Sequence, residues 1–321
     1  MYRILSIDGG GIRGVIPALW LKQLEARLDK PLHECFQLII GTSTGSILAA
    51  GIAAGIRVEH LIALYENEGS KIFPPRPSGR EFALLERFMR PKYEEEPLED
   101  VLRKNFANPG SDLIKLGELK TRCVIVAYDV FQRRPAIFRS WLPSHGALDL
   151  WSVVKGSCSA PTYFPAHILE IDGVQAALID GGVVANNPAS LGVAFAIEAN
   201  RKQDLSAFEA ANDLFVVSLG TGNLTKKISV EDARTSGTIQ WAGRILDVVF
   251  DGTSAADDLV CEAILKPESY VRLQVELTLA DDALDLATSK NINALKAQAM
   301  GYISEDDGRR HFERIIAELQ S

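Results

Sequence analysis

The sequence element best suited to chemistry is a serine at the centre of the pentapeptide GTSTG. It follows the apolar run Phe36–Ile40, which has the pattern of a buried parallel strand, and it precedes Ser46–Ile56, a helical run of small residues. A tight turn between a strand and a helix lifts a serine hydroxyl above the sheet edge, and Gly41 and Gly45 relieve its crowding. The positive end of the helix would face the reacting oxygen. We predict that Ser43 is a nucleophile; the alternative is a glycine turn with an N-cap serine.

A second element is the glycine loop DGGGIRG, which runs from Asp8 to Gly14 at the end of the first predicted strand. Consecutive glycines allow backbone N–H groups to converge on one point and to hold an oxyanion, as acyl transfer requires. Gly9, Gly11 and Gly14 also match the dinucleotide-binding pattern, with Asp29 as the acidic residue. However, Asp29 lies at the end of the first helix, whereas the fingerprint places its acid at the end of the second strand. Dinucleotide binding therefore remains the less favoured interpretation.

The third element is Asp180, which follows a short predicted strand and precedes Gly181 and Gly182. Taken alone, this aspartate could be a simple turn residue. All three elements, however, lie at the carboxyl ends of predicted strands, where open α/β sheets place their sites. We therefore expect the serine, the donor loop and the carboxylate to converge.

The base that would activate the serine is predicted from the positions of the histidines. Only His311 follows Asp180, as the usual order of a Ser-Asp-His triad requires, and it lies in a highly charged stretch. A direct dyad of Ser43 and Asp180 is therefore the better hypothesis. Since the usual pKa of an aspartate is about 3.9, Asp180 would be a weak base unless it is desolvated.

Short apolar runs alternate with longer helical patterns, which predicts an α/β sheet with helices on its faces. We expect no break between domains. Residues 1–321 are predicted to form one domain, with the motifs in about 1–225 and with 226–321 completing the fold. The expected strands are Tyr2–Ile7, Phe36–Ile40, Arg122–Val130, Pro135–Phe138, Ile168–Ile171, Gln175–Ile179, Leu214–Leu219 and Tyr270–Leu277. The expected helices are Val15–Leu28, Ser46–Ile56, Ile239–Phe250 and those from about Asn291 onward.

The composition excludes several classes of function. The net charge of −8 disfavours the wrapping of a nucleic acid polymer, which needs a basic face. The four cysteines contain no CxxC pair and are expected to be buried thiols, and the histidines lack metal-ligand spacing, so we predict no metal and no cofactor. No leader pattern and no apolar run of bilayer length is present, which favours a cytoplasmic protein that visits membranes peripherally.

The three motifs in this order resemble the patatin-like phospholipase family. The stretch SVVKGSCSAPTYFP and the segment SLGTG add to the resemblance, which covers most of residues 1–225. It implies a three-layer α/β/α sandwich with a mainly parallel sheet. It also implies hydrolysis of lipid acyl esters through an acyl-enzyme. The resemblance implies that Ser43 attacks the ester carbonyl and that Asp180 accepts the proton of the serine. It also implies that the amides of Gly10 and Gly11 stabilise the oxyanion and that Arg13 supports this loop.

Two positions depart from the family pattern. Ser46 stands where many members have glycine, which a helix should tolerate. Lys155 begins the segment KGSC, where the family often has small apolar residues, so the shape of the pocket could differ.

Residues 71–92 hold six basic and two acidic residues with interleaved aromatics, so we predict a lid or docking helix for an anionic membrane. An ordinary amphipathic helix is an equal alternative. Bacterial members of similar length include antiphage effectors switched on by cyclic nucleotides, which makes a cyclic-nucleotide activator a candidate partner beside the phospholipid substrate. The competing hypotheses are a non-catalytic module that binds a nucleotide or lipid through the glycine loop, and acyl transfer to an acceptor other than water.

Overall fold

The structure is a computed structural model that describes residues 1–75, 90–108, 110, 112–201, 213–225, 227–242 and 244–321. Most of the predicted docking segment, including Arg76, Arg80, Phe82, Arg87 and Met89, lies outside these residues. In the described part of that segment Lys71 and Arg90 are exposed, whereas Phe73 and Lys92 contact other residues of the chain. Phe73 packs edge-on against Tyr93 at 5.4 Å between ring centroids, and Lys92 is paired with Asp285.

An eight-stranded sheet forms the centre of the molecule, in the order β5-β6-β3-β2-β1-β7-β8, with β4 on the other edge of β3. Strands β1, β2, β3, β7 and β8 are parallel to one another, whereas β4 and β6 run antiparallel to β3 and β5 runs antiparallel to β6. The strands are β1 Tyr2–Ile7, β2 Leu38–Thr42, β3 Arg122–Asp129, β4 Arg134–Arg139, β5 His167–Ile171, β6 Val174–Asp180, β7 Leu214–Leu219 and β8 Tyr270–Leu273.

Helices cover both faces of this sheet, because alternate residues of the central strands point to opposite sides. Leu5 and Ile7 of β1 belong to one core, and Tyr2 and Ile4 belong to the other. The helices are α1 Val15–Leu28, α2 Leu32–Cys35, α3 Thr44–Ala54, α4 Val58–Ala63, α5 Gly69–Ile72, α6 Glu96–Asn105, α7 Pro143–Gly146, α8 Leu150–Ser157, α9 Gly182–Ala185, α10 Ala189–Arg201, α11 Val230–Thr235, α12 Thr238–Ala242, α13 Ile245–Ile264, α14 Ser289–Tyr302 and α15 Asp306–Gln320. Helices α1 and α3 contribute to the first core, and α10 and α13 contribute to the second. This confirms the predicted mainly parallel α/β/α sandwich.

Two predicted elements differ clearly from the structure. The strand expected to reach Leu277 ends at Leu273, and the next residue, Gln274, accepts a hydrogen bond from the amide of Gly222 through its side chain. The helix expected over Ile239–Phe250 is replaced by α12 and by α13, which continues to Ile264. All three motifs do lie at the carboxyl ends of strands, as predicted, although β6, which ends at Asp180, runs antiparallel to β3. Asp180 therefore approaches the other two motifs from the opposite strand direction.

Candidate active site

Ser43 occupies a sharp turn between β2 and α3, and its backbone has φ 53° and ψ −125°. A positive φ at a non-glycine residue is sterically unfavourable and is characteristic of functional turns. The Ser43 amide donates to Oγ of Ser157 at 2.9 Å, and that hydroxyl donates to the carbonyl of Val126 at 2.6 Å. Ser157 therefore ties the turn to the neighbouring strand β3.

Gly41 is a residue of strand β2 and not of the turn itself, which corrects the sequence-based expectation. The strand continues past its expected end to Thr42, because Gly41 keeps its place in the sheet by pairing with Ile7 of β1 and Ile125 of β3. A Cβ on Gly41 would nevertheless stand 2.2 Å from the carbonyl oxygen of Gly45. The missing side chain therefore allows α3 to begin directly against the end of β2.

The register of β3 explains how Asp180 reaches this turn. Val126 pairs with both Thr42 of β2 and Ile137 of β4, while the next residue, Ala127, pairs with both Asp180 of β6 and Ala136 of β4. Since β4 occupies one edge of β3, β2 and β6 must share the other edge and meet end to end. The carboxyl ends of two opposed strands are thus juxtaposed at consecutive positions of one strand.

The two predicted catalytic side chains are in direct contact. Oγ of Ser43 donates to Oδ2 of Asp180 at 2.6 Å, and the amide of Gly182 donates to Oδ1 at 2.8 Å. Asp180 is almost fully buried, and desolvation raises its pKa to about 7 against the lowering effect of these two hydrogen bonds. A carboxyl group with a pKa near neutrality can both accept and return a proton at physiological pH.

The glycine loop packs against Ser43, and two of its backbone amides have no acceptor among the described residues. A Cβ on Gly9 would stand 3.2 Å from Cβ of Ser43. Among the described residues, no acceptor is hydrogen-bonded to the amides of Gly10 and Gly11, whereas the next amide, that of Ile12, donates to the carbonyl of Leu284 at 2.8 Å. Two adjacent N–H groups without an acceptor, in a loop that touches Ser43, are donors of the kind that an oxyanion requires.

The side chain of Arg13 is hydrogen-bonded to the backbone of this loop. It is buried, and its Nε donates to the carbonyl of Gly10 at 3.3 Å. Nη1 of Arg13 is also buried and has no hydrogen-bond partner among the described residues. Burial lowers the pKa of Arg13 from its ordinary value, and the nearby carboxylate of Asp251 opposes that shift. Arg13 thus contacts the backbone of the loop, and its role as the support of that loop stays a prediction.

Other residues of the chain pack closely against the glycines of the loop. A Cβ on Gly10 would stand 2.2 Å from Oγ1 of Thr221, and one on Gly11 would stand 2.1 Å from the carbonyl oxygen of Leu284. Asp29, the acid of the dinucleotide pattern, is the left-handed C-cap of α1. The close approach that the fingerprint reserves for a pyrophosphate is therefore made by side chains and backbone of this chain, which disfavours dinucleotide binding.

Ser43 has no histidine as a hydrogen-bond partner, although all five histidines are described. His167 is buried and shares a hydrogen bond of 2.7 Å with Ser152, and burial lowers its pKa to about 4. His311 is exposed on α15. Glu95, Glu99 and His167 hold ligand atoms within 4.8 Å of one another, but Lys155 already places its ammonium 3.2 Å from Glu95.

An apolar pocket opens from the dyad. Its wall combines α3, α5, α6 and the segment after α8 with two residues from the C-terminal third, Phe250 and Leu284. Tyr65, Ile72, Phe73, Leu98, Val101, Leu102, Tyr163 and Phe164 also line it. Such a wall buries a hydrocarbon chain favourably, since each buried CH₂ contributes about 0.8 kcal/mol.

Gly45→Ala should destabilise this site specifically. A Cβ at this position would stand 2.2 Å from the carbonyl oxygen of Ile7, and backbone cannot move aside easily. We expect a loss of roughly 1–3 kcal/mol in the free energy of unfolding, measured by denaturant titration, and a larger loss of activity. The matched control is Gly301→Ala in α14, where no atom lies within 4 Å of the added Cβ. Equal stability of the two variants would contradict the close approach.

Several site residues carried no recognisable signal in the sequence. Ser157 belongs to the stretch that resembles the family, but nothing in the sequence indicates that its hydroxyl accepts a hydrogen bond from the amide of Ser43. Phe250 and Leu284 lie far from every motif, and Asp8 is paired with Arg272 of β8, whose Nη2 lies 2.7 Å from Oδ2. These residues reach the site only through the way the C-terminal third packs onto the sheet, which no short sequence pattern indicates.

Comparisons with known proteins identify the family of the chain. The family model for patatin-like phospholipase matches residues 5–193. The chain is 30% identical to Patatin-like protein 2 of Arabidopsis thaliana, over 91% of this chain and 80% of the relative. It is 30% identical to Patatin-like protein 1 of Oryza sativa subsp. indica, over 95% and 84%. It is 29% identical to a cGAMP-activated phospholipase of Pseudomonas aeruginosa, over 99% of this chain and 90% of the relative. The chain belongs to the patatin-like phospholipase family and is an enzyme of the lipid acyl hydrolase class.

Proposed function

We propose that this enzyme cleaves fatty-acyl esters of membrane phospholipids through the Ser43–Asp180 dyad and an acyl-enzyme. The observation that supports this most directly is the 2.6 Å hydrogen bond from Oγ of Ser43 to Oδ2 of Asp180 at the mouth of an apolar pocket. The pocket accommodates an acyl chain, and the dyad lies where the ester carbonyl would then stand.

The first half-reaction forms the acyl-enzyme. Oγ of Ser43 attacks the ester carbonyl while its proton passes to Asp180, and the amides of Gly10 and Gly11 stabilise the negative oxygen. Collapse of the tetrahedral intermediate breaks the bond to the glycerol oxygen, which takes the proton from Asp180 and leaves with the lysophospholipid. With a pKa of about 7, Asp180 is a stronger base toward the serine hydroxyl than an ordinary carboxylate, and it can still return the proton to the leaving oxygen.

The second half-reaction releases the fatty acid. Asp180 removes a proton from water, the hydroxide attacks the acyl-enzyme, and the same two amides hold the second oxyanion. Collapse breaks the bond to Oγ of Ser43, and Asp180 returns its proton to that oxygen. The negative charge is met by backbone donors throughout, so this chemistry needs no cofactor.

We further propose that residues 1–321 act as one catalytic unit. The C-terminal third supplies β8 to the sheet, Arg272 to the carboxylate of Asp8 and Leu284 to the glycine loop. Removing residues 226–321 would expose the loop and open the pocket wall at Phe250 and Leu284.

A cyclic-nucleotide activator belongs to the same proposal. It is supported by a relative that is named as a cGAMP-activated phospholipase and that aligns with 99% of this chain. A polar cavity of about 740 Å³ lies beside the glycine loop, but four of its carboxylates are Asp251, Asp258, Glu262 and Glu276, while Arg272 is already paired with Asp8. A polyanion is disfavoured there, so the activator is not assigned to that cavity.

Incubation of the purified chain with mixed phospholipids, with and without cyclic dinucleotides, tests both parts of the proposal. We expect free fatty acids and lysophospholipids, with a higher rate when the activating nucleotide is present. Products esterified to an added alcohol would indicate acyl transfer. Bound nucleotide or lipid without any product would support the non-catalytic module instead.

A further inference from the structure

The turn that connects β3 to β4 projects from the same end of the sheet as Ser43. Strand β3 is level with the end of β2 at Val126 and continues to Asp129, so the turn that starts at Val130 lies about 13 Å further along the strand direction. The β5–β6 turn projects beside it, since the Val130 amide donates to the carbonyl of Ala177 at 2.9 Å.

This turn is held in shape by a buried carboxylate. Oδ1 of Asp129 accepts hydrogen bonds from the amides of Phe131, Gln132 and Ala177 at 3.0, 3.3 and 3.2 Å. Asp129 is only 3% exposed, whereas every residue from Val130 to Pro135 is exposed. The side chains of the turn are therefore presented to the surroundings by a fixed backbone.

The turn itself presents apolar and cationic side chains, and the adjacent β5–β6 hairpin adds the exposed acids Glu170 and Asp172. Phe131 is 73% exposed, and the neighbouring Val130, Val174 and Ile168 are 41%, 49% and 57% exposed. Arg133 and Arg134 follow after Gln132, and neither forms an ion pair with another described residue. Exposed large apolar groups that cluster in this way mark interaction sites.

We propose that the turn Val130–Arg134 is the membrane-docking element of this protein, with Phe131 entering an anionic lipid surface and Arg133 and Arg134 contacting its headgroups. The inference rests on the proposed lipid hydrolase function, which requires Ser43 to approach a bilayer. An aromatic residue beside two arginines matches such a surface, because the ring enters the acyl boundary while the guanidinium groups stay with the phosphates. Burying the turn would bring the Ser43 edge of the sheet toward the lipid.

Cosedimentation of the full chain with vesicles of ether-linked phospholipids tests this element, because ether lipids separate binding from hydrolysis. Phe131→Ser should weaken binding by roughly tenfold or more. The double variant Arg133→Asn, Arg134→Gln should weaken it by about fivefold per charge, and only on vesicles that contain phosphatidylglycerol beside phosphatidylcholine. Asparagine suits position 133, where φ is 54°.

The matched control is Leu259→Ser. Leu259 is 67% exposed, and the preceding Asp258 accepts a hydrogen bond from Tyr270 of β8, the strand at the other end of the sheet order from β5 and β6. It should bind vesicles like the wild type. All variants should hydrolyse a dispersed short-chain ester at the wild-type rate, which shows that they are folded.

Three outcomes would overturn the docking assignment: unchanged vesicle binding by Phe131→Ser, an equal loss in Leu259→Ser, or a change from dimer to monomer in Phe131→Ser with vesicle binding retained. The last would identify an interface between copies of the chain. Failure of the hydrolase proposal looks different, because the wild type would then leave the dispersed ester intact whether or not its vesicle binding depends on Phe131.

Discussion

Ser43→Ala should reduce ester hydrolysis by roughly 10⁴- to 10⁶-fold, the range for loss of a nucleophile that acts together with its base. Without Oγ there is no atom to carry the acyl group, and the oxyanion donors alone provide only the residual rate. The variant should fold normally, since only a hydroxyl is removed and the backbone contact from Ser43 to Ser157 is kept. The measurements are release of fatty acid and labelling by a fluorophosphonate probe, which should occur at Ser43 and be lost in the variant.

The chain contains its own control for this experiment. Ser190 on α10 is hydrogen-bonded to Asp257, and burial raises the pKa of Asp257 to about 6. This second Ser–Asp pair lies on two helices, neither residue has a strained backbone, and neither lines the apolar pocket. Ser190→Ala should therefore retain activity and probe labelling. Retained activity in Ser43→Ala, or labelling at Ser190, would remove the basis of the mechanism.

Asp180→Asn should reduce kcat by roughly 10²- to 10⁴-fold, because general-base assistance is lost while the hydrogen-bonding shape is kept. The pH profile provides a second readout. In the wild type, kcat/KM should rise about tenfold per pH unit below about 7 and level off above it, as Asp180 ionises. The residual activity of Asp180→Asn should lack this rise. Asp257→Asn, in the control pair, should keep both the rate and the profile.

The same substitution should change the pH dependence of stability. The pKa of Asp180 is raised to about 7 in the folded state, so the folded chain binds more protons than the unfolded chain between the two pKa values. Its contribution to stability is fully present below about pH 4 and is lost as the pH rises through about 7. Asp180→Asn avoids this loss and should be the more stable protein at pH 8, by at most about 4 kcal/mol. Thermal unfolding of both proteins at pH 5 and 8 measures the effect.

Two results would contradict the assignment of Asp180 as a desolvated base. One is an Asp180→Asn variant that is less stable than the wild type at pH 8, and the other is a variant whose residual activity keeps the pH–rate profile of the wild type. His311→Ala is the complementary control, because His311 is exposed on α15 and should have little influence on the rate. A large loss of activity there, combined with an active Asp180→Asn, would support a histidine base instead.

The local features of the site were readable from short stretches of sequence. The turn around Ser43 follows from glycines two positions on either side, and the β5–β6 hairpin follows from Asp172 and Gly173, both of which have positive φ. Strand and helix periodicity predicted the layers of the sandwich. Each of these signals depends on sterics and burial among residues that are close in the chain.

The sequence by itself determined the nucleophile's turn, the donor loop, the candidate acid and the α/β class, because local backbone geometry is set by neighbouring residues. Only the tertiary structure decided that β2 and β6 meet end to end on β3, which brings Asp180 within 2.6 Å of Ser43 and buries it enough to raise its pKa. It also decided that Arg272, Phe250 and Leu284 close the site from the C-terminal third. These outcomes depend on strand register and on desolvation between residues more than a hundred positions apart, and no short-range pattern encodes either quantity.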